Sequence, residues 1–99
     1  MRMFVSLSLV AYALGATPAL AADGMYRGIP ATAPSNANFV TRSTMWHCDD
    51  GACTAAHDGQ RDLVMCQLLA RKVGRLESFA VDGAAMDADA LTKCNGHAR

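Results

Sequence analysis

The sequence predicts a small α+β domain, in which a short antiparallel β-hairpin sheet packs with two short helices and disulfides add stability. Three observations support this fold class. Strand-like and helix-like segments alternate within 99 residues, tight-turn signals separate them, and four cysteines follow a typical export signal. A folded part of about 60 residues is only marginally stable on core burial alone, so cross-links have a clear role.

The N-terminal segment is typical of a signal peptide. Arg2 supplies a positive charge, Met3 to Ala16 form an apolar stretch, and Ala19-Leu20-Ala21 match an A-x-A cleavage site. The apolar stretch has about 14 residues, fewer than the roughly 20 that span a bilayer. We therefore expect residues 1–21 to be a signal peptide that is removed on export. The mature protein would be periplasmic or secreted, without stable membrane insertion.

Residues 22–38 are predicted to form a flexible N-terminal arm. This stretch mixes Gly, Pro, Ala, Ser and Asn without an apolar period. It therefore offers little buried surface to offset the entropy that is lost when a chain becomes ordered. The folded, disulfide-stabilised domain is accordingly expected over residues 39–99.

The first hairpin is predicted around the middle of the chain. Phe39 to Cys48 are rich in β-branched and aromatic residues, which favours one strand. Asp50-Gly51 indicate a type I′ turn, because Gly accepts positive φ and Asp tolerates it. Ala52 to Ala56 would form the returning strand.

The register of this hairpin brings two cysteines together. With Asp50-Gly51 as a two-residue loop, Cys48 faces Cys53 in a non-hydrogen-bonded pair. The Cα atoms of such a pair are about 4.5 Å apart, within the range that a disulfide accepts. Trp46 would lie on the face of Cys48, and His47 on the opposite face.

A helix and a strand follow. Leu63 to Val73 have the i, i+3, i+4, i+7 spacing of an amphipathic helix, with Asp62 as the candidate N-cap and Gly74 as the stop. Leu76 to Val81 alternate as a strand does, and Asp82-Gly83 indicate a second tight turn.

A second, shorter helix is predicted over Ala88 to Cys94, with Asp87 as its cap. Cys66 and Cys94 both lie on the apolar sides of their helices. Four cysteines allow three connectivities, and we favour Cys48–Cys53 with Cys66–Cys94 because this pairing agrees with both placements.

Three segments of the sequence resemble known proteins: Trp46-His47-Cys48 with Cys53, Cys66 to Leu69 continuing through Val73-Gly74-Arg75-Leu76 to Phe79, and Leu91 to Asn95. They resemble a family of short exported alphaproteobacterial proteins of unknown function with four cysteines. The resemblance covers most of Thr44 to Asn95. It implies no activity, cofactor or catalytic residue.

Signals for catalysis and metal binding are weak. No serine stands in a nucleophile motif such as G-x-S-x-G, and Cys48 and Cys53 lack the C-x-x-C spacing of thiol oxidoreductases. The four cysteines do not form the two close pairs of a typical zinc site, although His47, His57 and His97 add alternative ligands. We therefore expect no enzymatic activity and no cofactor, and keep metal or thiol handling as a further alternative.

The charge pattern narrows the class of partner. Nine basic and nine acidic side chains balance, and loss of Arg2 with the signal peptide would leave eight basic ones against nine acidic. Without a basic patch, nucleic acid is a poor partner. We expect a non-catalytic exported accessory or binding protein with an unknown protein partner. The alternative is an envelope enzyme inhibitor or stress protein that acts through the hairpin tip.

A contact surface at the hairpin tip would include His47, Asp49, Asp50 and the aromatic side chain of Trp46, since aromatic residues are frequent in interfaces. The competing interpretation places Trp46 in the core beside the hairpin disulfide.

We predict that the exported protein begins at Ala22. Intact-mass measurement or N-terminal sequencing of cell-expressed protein tests this, because cleavage after the A-x-A site removes the first 21 residues. Membrane-bound material that retains Met1 would contradict the prediction.

Overall fold

The computed structural model describes residues 24–57 and 59–99, so the signal peptide predicted over residues 1–21 lies outside the described part. In chain order the elements are β1 (Met25–Pro30), β2 (Asn38–Thr41), β3 (Thr44–Asp49), β4 (Ala52–Ala56), α1 (Asp62–Val73), β5 (Leu76–Val81), β6 (Ala84–Ala85) and α2 (Ala88–Asn95).

The strands form a six-stranded sheet with the order β2-β3-β4-β1-β5-β6, and every neighbouring pair is antiparallel. The two helices contact each other, and α1 also packs on β1, β5 and β2. The predicted α+β class, with an antiparallel sheet, two helices and disulfides, is confirmed.

The prediction of a flexible arm over residues 22–38 is wrong for Met25–Pro30. This segment is strand β1, which lies between β4 and β5, and the side chain of Tyr26 is fully buried. Its sequence contains Gly28 and Pro30, which are unfavourable in strands, so no local pattern indicated it. Pairing on both sides overrides that weak propensity, so the folded domain includes Met25–Pro30, which precede the predicted start at Phe39.

Gly28 has a specific role in β1. A Cβ atom at this position would clash with the side chain of Leu69, which is fully buried on α1. The missing side chain therefore lets α1 approach the centre of the sheet closely.

The single strand predicted over Phe39 to Cys48 is in fact two strands joined by a tight turn. Thr41 pairs with Thr44, and Arg42 in the turn has a φ of 56°. Arginine adopts this conformation less readily than Gly, Asn or Asp, so the sequence carried no turn signal here.

The hairpin between β3 and β4 is confirmed. Asp50 and Gly51 have φ values of 52° and 79°, as a type I′ turn requires, and Cys48 pairs with Cys53 in the ladder. Both predicted disulfides, Cys48–Cys53 and Cys66–Cys94, are present.

The helix boundaries agree closely with the predictions, with one exception at a cap. Gly74 ends α1 at a φ of 92°, and the Asp87 carboxylate caps α2 by accepting a hydrogen bond of 2.8 Å from the Ala90 N–H. Asp62, however, is the first residue of α1 rather than its N-cap. Arg61 occupies the cap position and makes no side-chain capping bond.

The core lies between the sheet and the helices and contains three large aromatic rings. The ring of Tyr26 lies 6.0 Å from the rings of both Trp46 and Phe79. Trp46 is fully buried, and its Nε1 donates a hydrogen bond of 2.8 Å to the Thr41 hydroxyl. The indole nitrogen is therefore satisfied within the core.

Asn95, the last residue of α2, attaches this helix to the sheet. Its Oδ1 accepts a bond of 2.8 Å from the Leu76 N–H, and its Nδ2 donates one of 2.9 Å to the Leu76 carbonyl. The Cys66–Cys94 disulfide joins the same helix to α1.

We predict that Trp46→Ala lowers the free energy of unfolding by roughly 3–5 kcal/mol, as truncation of a buried aromatic side chain does. Thermal or denaturant unfolding at low protein concentration measures this. Met45→Ala is a matched control, because Met45 is the neighbouring residue and is 61% exposed. It should cost no more than about 0.5 kcal/mol. An unchanged melting temperature for Trp46→Ala would contradict the core assignment.

The two disulfides should contribute unequally. Replacing Cys66 and Cys94 with serine should destabilise the domain more than replacing Cys48 and Cys53. The chain-entropy model assigns about 3.5 kcal/mol to the longer loop and about 2 kcal/mol to the shorter one, given sequence separations of 28 and 5. The Cys66–Cys94 disulfide also links two fully buried residues, so its loss adds a packing defect.

Unfolding curves of the two double variants test this order. Peptide mapping without reduction verifies the pairing in the parent protein. Equal losses of stability in the two variants would refute the energetic argument while leaving the pairing intact.

Candidate functional site

A surface cleft of about 580 Å³ opens in the described part of the chain. It lies where the β5–β6 hairpin meets the N-terminal ends of both helices. Leu63 of α1, Val81 of β5 and Met86 before α2 supply most of its apolar wall, together with alanine side chains. Its volume falls within the range that is usual for small-ligand sites.

The polar groups of the cleft are mainly acidic. Asp62, Asp82 and Asp87 line it together with His57, and no lysine or arginine is among its described lining residues. Three carboxylates beside an apolar wall produce a negative potential, which favours a ligand that carries a positive charge.

Asp82 is held in place by contacts with two other segments. Its Oδ2 lies 3.3 Å from His57 Nδ1, and its Oδ1 accepts a hydrogen bond of 3.1 Å from the Met25 N–H. The His57 ring in turn packs edge-on against Tyr26, with 4.9 Å between ring centroids. The two polar side chains remain 31% and 41% exposed. This rim is therefore fixed to the central strand while its polar groups remain accessible to a ligand.

The carboxylates differ in how much hydrogen-bonding capacity they retain. Asp87 already accepts the capping bond from Ala90, whereas Asp62 stands in the first turn of α1, where the helix dipole stabilises a negative charge. The cleft thus combines a fixed Asp82–His57 pair with additional carboxylates from two helix starts.

The hairpin tip forms a second surface. Trp46 of the predicted contact surface is fully buried, so it does not contribute, whereas His47, Asp49 and Asp50 are exposed. His47 Nδ1 lies 2.8 Å from Asn38 Oδ1 on the neighbouring strand. The tip also borders a smaller depression of about 240 Å³. The structure therefore brings three of the four predicted residues to one exposed region.

A model for a family of proteins of unknown function, DUF8200, matches residues 10–96. The chain belongs to this family. The match agrees with the resemblance to a family of unknown function, whereas alphaproteobacterial origin, export and the four-cysteine pattern of the family stay predictions. Comparison with curated proteins and with solved structures gave no match.

The three histidines of this DUF8200 member lie in separate environments. His47 contacts Asn38, His57 contacts Asp82, and His97 Nδ1 lies 3.1 Å from Arg71 Nη2. Within residues 24–57 and 59–99, no group of three or more His, Cys, Asp or Glu side chains is arranged to hold a metal ion. In the same residues, neither helix has the length and apolar character needed to cross a membrane.

Sequence reasoning did not identify the cleft in this DUF8200 chain. Leu63 and Val81 matched core positions of a helix and a strand, Asp82 matched a turn, and Asp87 matched a cap. Each of these local interpretations holds. The site exists only because the fold brings these separate segments together, and no motif spans them.

Proposed function

We propose that this chain is an exported, non-catalytic binding protein and that the cleft at the N-terminal ends of α1 and α2 holds its ligand. The observation that carries this proposal is the combination of an apolar wall with three carboxylates in one cleft of about 580 Å³. The pairing of all four cysteines supports a periplasmic or secreted location, since disulfides persist in oxidising compartments.

The chemistry of the cleft favours a basic segment of a partner protein as the ligand. An ammonium or guanidinium group beside Asp82 would gain a charge-assisted contact with a carboxylate that is already held in place. The alkyl stem of the same side chain would cover the apolar surface of Leu63 and Met86. Lysine and arginine side chains provide both features.

A second candidate is an envelope inhibitor or stress protein that acts through the hairpin tip. The Cys48–Cys53 disulfide constrains the turn that exposes Asp49 and Asp50. A preorganised turn loses little conformational entropy on binding. A metal- or thiol-handling role has less support, because all four cysteines are engaged in disulfides.

We predict that hexylammonium, an alkyl chain with a cationic head, binds the cleft with an affinity in about the millimolar range, as expected for a probe of this size. Titration of isotope-labelled mature protein, followed by NMR, should shift the amide signals of Leu63, Val81 and Met86. Hexanoate, which also has six carbons but carries an anionic head, is the ligand control and should bind at least about tenfold more weakly because it faces like charges.

Two matched variants each replace one carboxylate with an amide, one in the cleft and one at the hairpin tip. Asp82→Asn should weaken hexylammonium binding several-fold, whereas Asp50→Asn at the hairpin tip should leave it unchanged. Equal binding of hexanoate and hexylammonium would contradict a cation site. Shifts confined to His47, Asp49 and Asp50 would instead favour the hairpin tip as the binding surface.

A further inference from the structure

Two large hydrophobic side chains stay exposed in the described part of the chain. Val40 and Met45 are 49% and 61% exposed, and they are directly opposite each other on β2 and β3. Val40 and Met45 alternate with Phe39 and Trp46, which pack toward the core. The exposed pair therefore lies on the sheet face that points away from the helices.

Strand β2 is an edge of the sheet, and its outward main-chain groups can be identified from the ladder. Thr41 and Thr44 flank a two-residue turn, and the Cys48 N–H donates to the Ala37 carbonyl over 2.7 Å. The main-chain groups alternate in direction along an antiparallel strand, so those of Asn38 and Val40 point away from β3. No strand in the described part of the chain pairs with them on that side, so they can pair with another strand.

The two sheet edges differ in how they are protected. At the opposite edge, β6 has only two residues, and a very short edge strand offers little to pair with. Strand β2 has four residues, Asn38–Thr41, without a charge or a proline in it. Natural edge strands commonly carry such features to prevent pairing.

We propose that two copies of this chain pair antiparallel through β2, around a two-fold axis at Phe39, and so form one continuous sheet. In this register Val40 of each copy lies opposite Asn38 of the other. The outward N–H and C=O groups of these residues would then make about four main-chain hydrogen bonds, two for each symmetry-related pair. The same strand serves both sides of the contact, as a two-fold interface requires.

The side chains around this axis are compatible with a second copy. Arg42 would stand opposite Asn36 of the other chain, so no like charges face each other across the two strands. Val40 of one copy would be the diagonal neighbour of Val40 of the other copy. The exposed Val40–Met45 pairs of the two copies would then form one continuous apolar strip. On the helix side, Phe39 would meet Phe39 of the second copy, and aromatic residues form favourable cross-strand pairs. Lys72 Nζ lies 5.9 Å from the centre of the Phe39 ring, so the two flexible lysine side chains would have to turn away from the axis into solvent.

The strand-to-strand contact is small, so the dimer should be weak and dependent on concentration. Sedimentation velocity of oxidised, processed protein from about 10 µM to about 1 mM covers the range in which such a contact dissociates. Hydrogen exchange over the same range provides a residue-level measurement. The amides of Asn38 and Val40 should become protected as concentration rises, while the Phe39 amide, directed at β3, should be protected throughout.

Two substitutions at Val40 test the register in different ways. Val40→Pro removes an outward N–H that β3 does not use, and proline is tolerated at such edge positions. Val40→Lys places like charges on the diagonal between the two copies. Each variant should weaken self-association at least about tenfold, the effect of one lost contact of roughly 1.4 kcal/mol. Ala88→Lys adds the same charge at the exposed start of α2 and should associate like the parent protein.

A parent protein that stays monomeric across the whole concentration range would overturn the proposal. So would self-association that both Val40 variants retain, or dimerisation that leaves the Asn38 and Val40 amides unprotected, because either result would place the contact elsewhere. Melting curves verify that each variant is folded. The cleft is at the far edge of the sheet from β2, so the outcome with hexylammonium is independent of this one.

Discussion

Strand β1 joins two pieces of the sheet that could each form locally. The β2-β3-β4 strands are connected by two short turns, and β5 and β6 form a hairpin. Within the described sheet, only β1 hydrogen-bonds to both of these pieces. The ring of Tyr26 on this strand lies 6.0 Å from Trp46 of the first piece and 6.0 Å from Phe79 of the second, and these two rings are 6.5 Å apart. Gly28 on the same strand provides the space that Leu69 of α1 occupies. The aromatic core, the approach of the helix and the continuity of the sheet therefore all involve β1 and its two long-range pairings. The buried contacts must offset the loop-closure cost of these pairings.

The helix layer is fixed by covalent and polar contacts in addition to apolar packing. The Cys66–Cys94 disulfide joins the helices, and the Asn95 side chain binds both main-chain groups of Leu76 at the start of β5. A domain of this size has a limited core, so such cross-links account for a large share of its stability. They also restrict the helices to one face of the sheet. The opposite face is left uncovered by them, which is usual for an antiparallel sheet, and there the Val40–Met45 pair is exposed.

The two surfaces that we associate with binding lie at opposite edges of the sheet. The acidic cleft is built around the β5–β6 hairpin and the helix starts, whereas the proposed dimer contact lies on β2. A ligand in the cleft would therefore leave β2 accessible, and a dimer through β2 would place the two clefts near the two far edges of the shared sheet. The same central strand supports both surfaces, since Met25 at its start holds Asp82 and its pairing with β4 continues the sheet toward β2.

The sequence by itself determined the features that depend on neighbouring residues. The Asp50-Gly51 turn fixed the register that pairs Cys48 with Cys53, and apolar periodicity placed Cys66 and Cys94 on facing helices.

Only the tertiary structure decided that Met25–Pro30 is the central strand, that Arg42 adopts a positive φ, and that Asp62, Asp82 and Asp87 line one cleft. The physical reason is the range of the interactions. Turns, caps and helical faces are set by backbone sterics and spacing within a few residues. A strand containing Gly28 and Pro30 instead gains its conformation from partners on both sides, and a cleft assembled from separate segments has no local pattern.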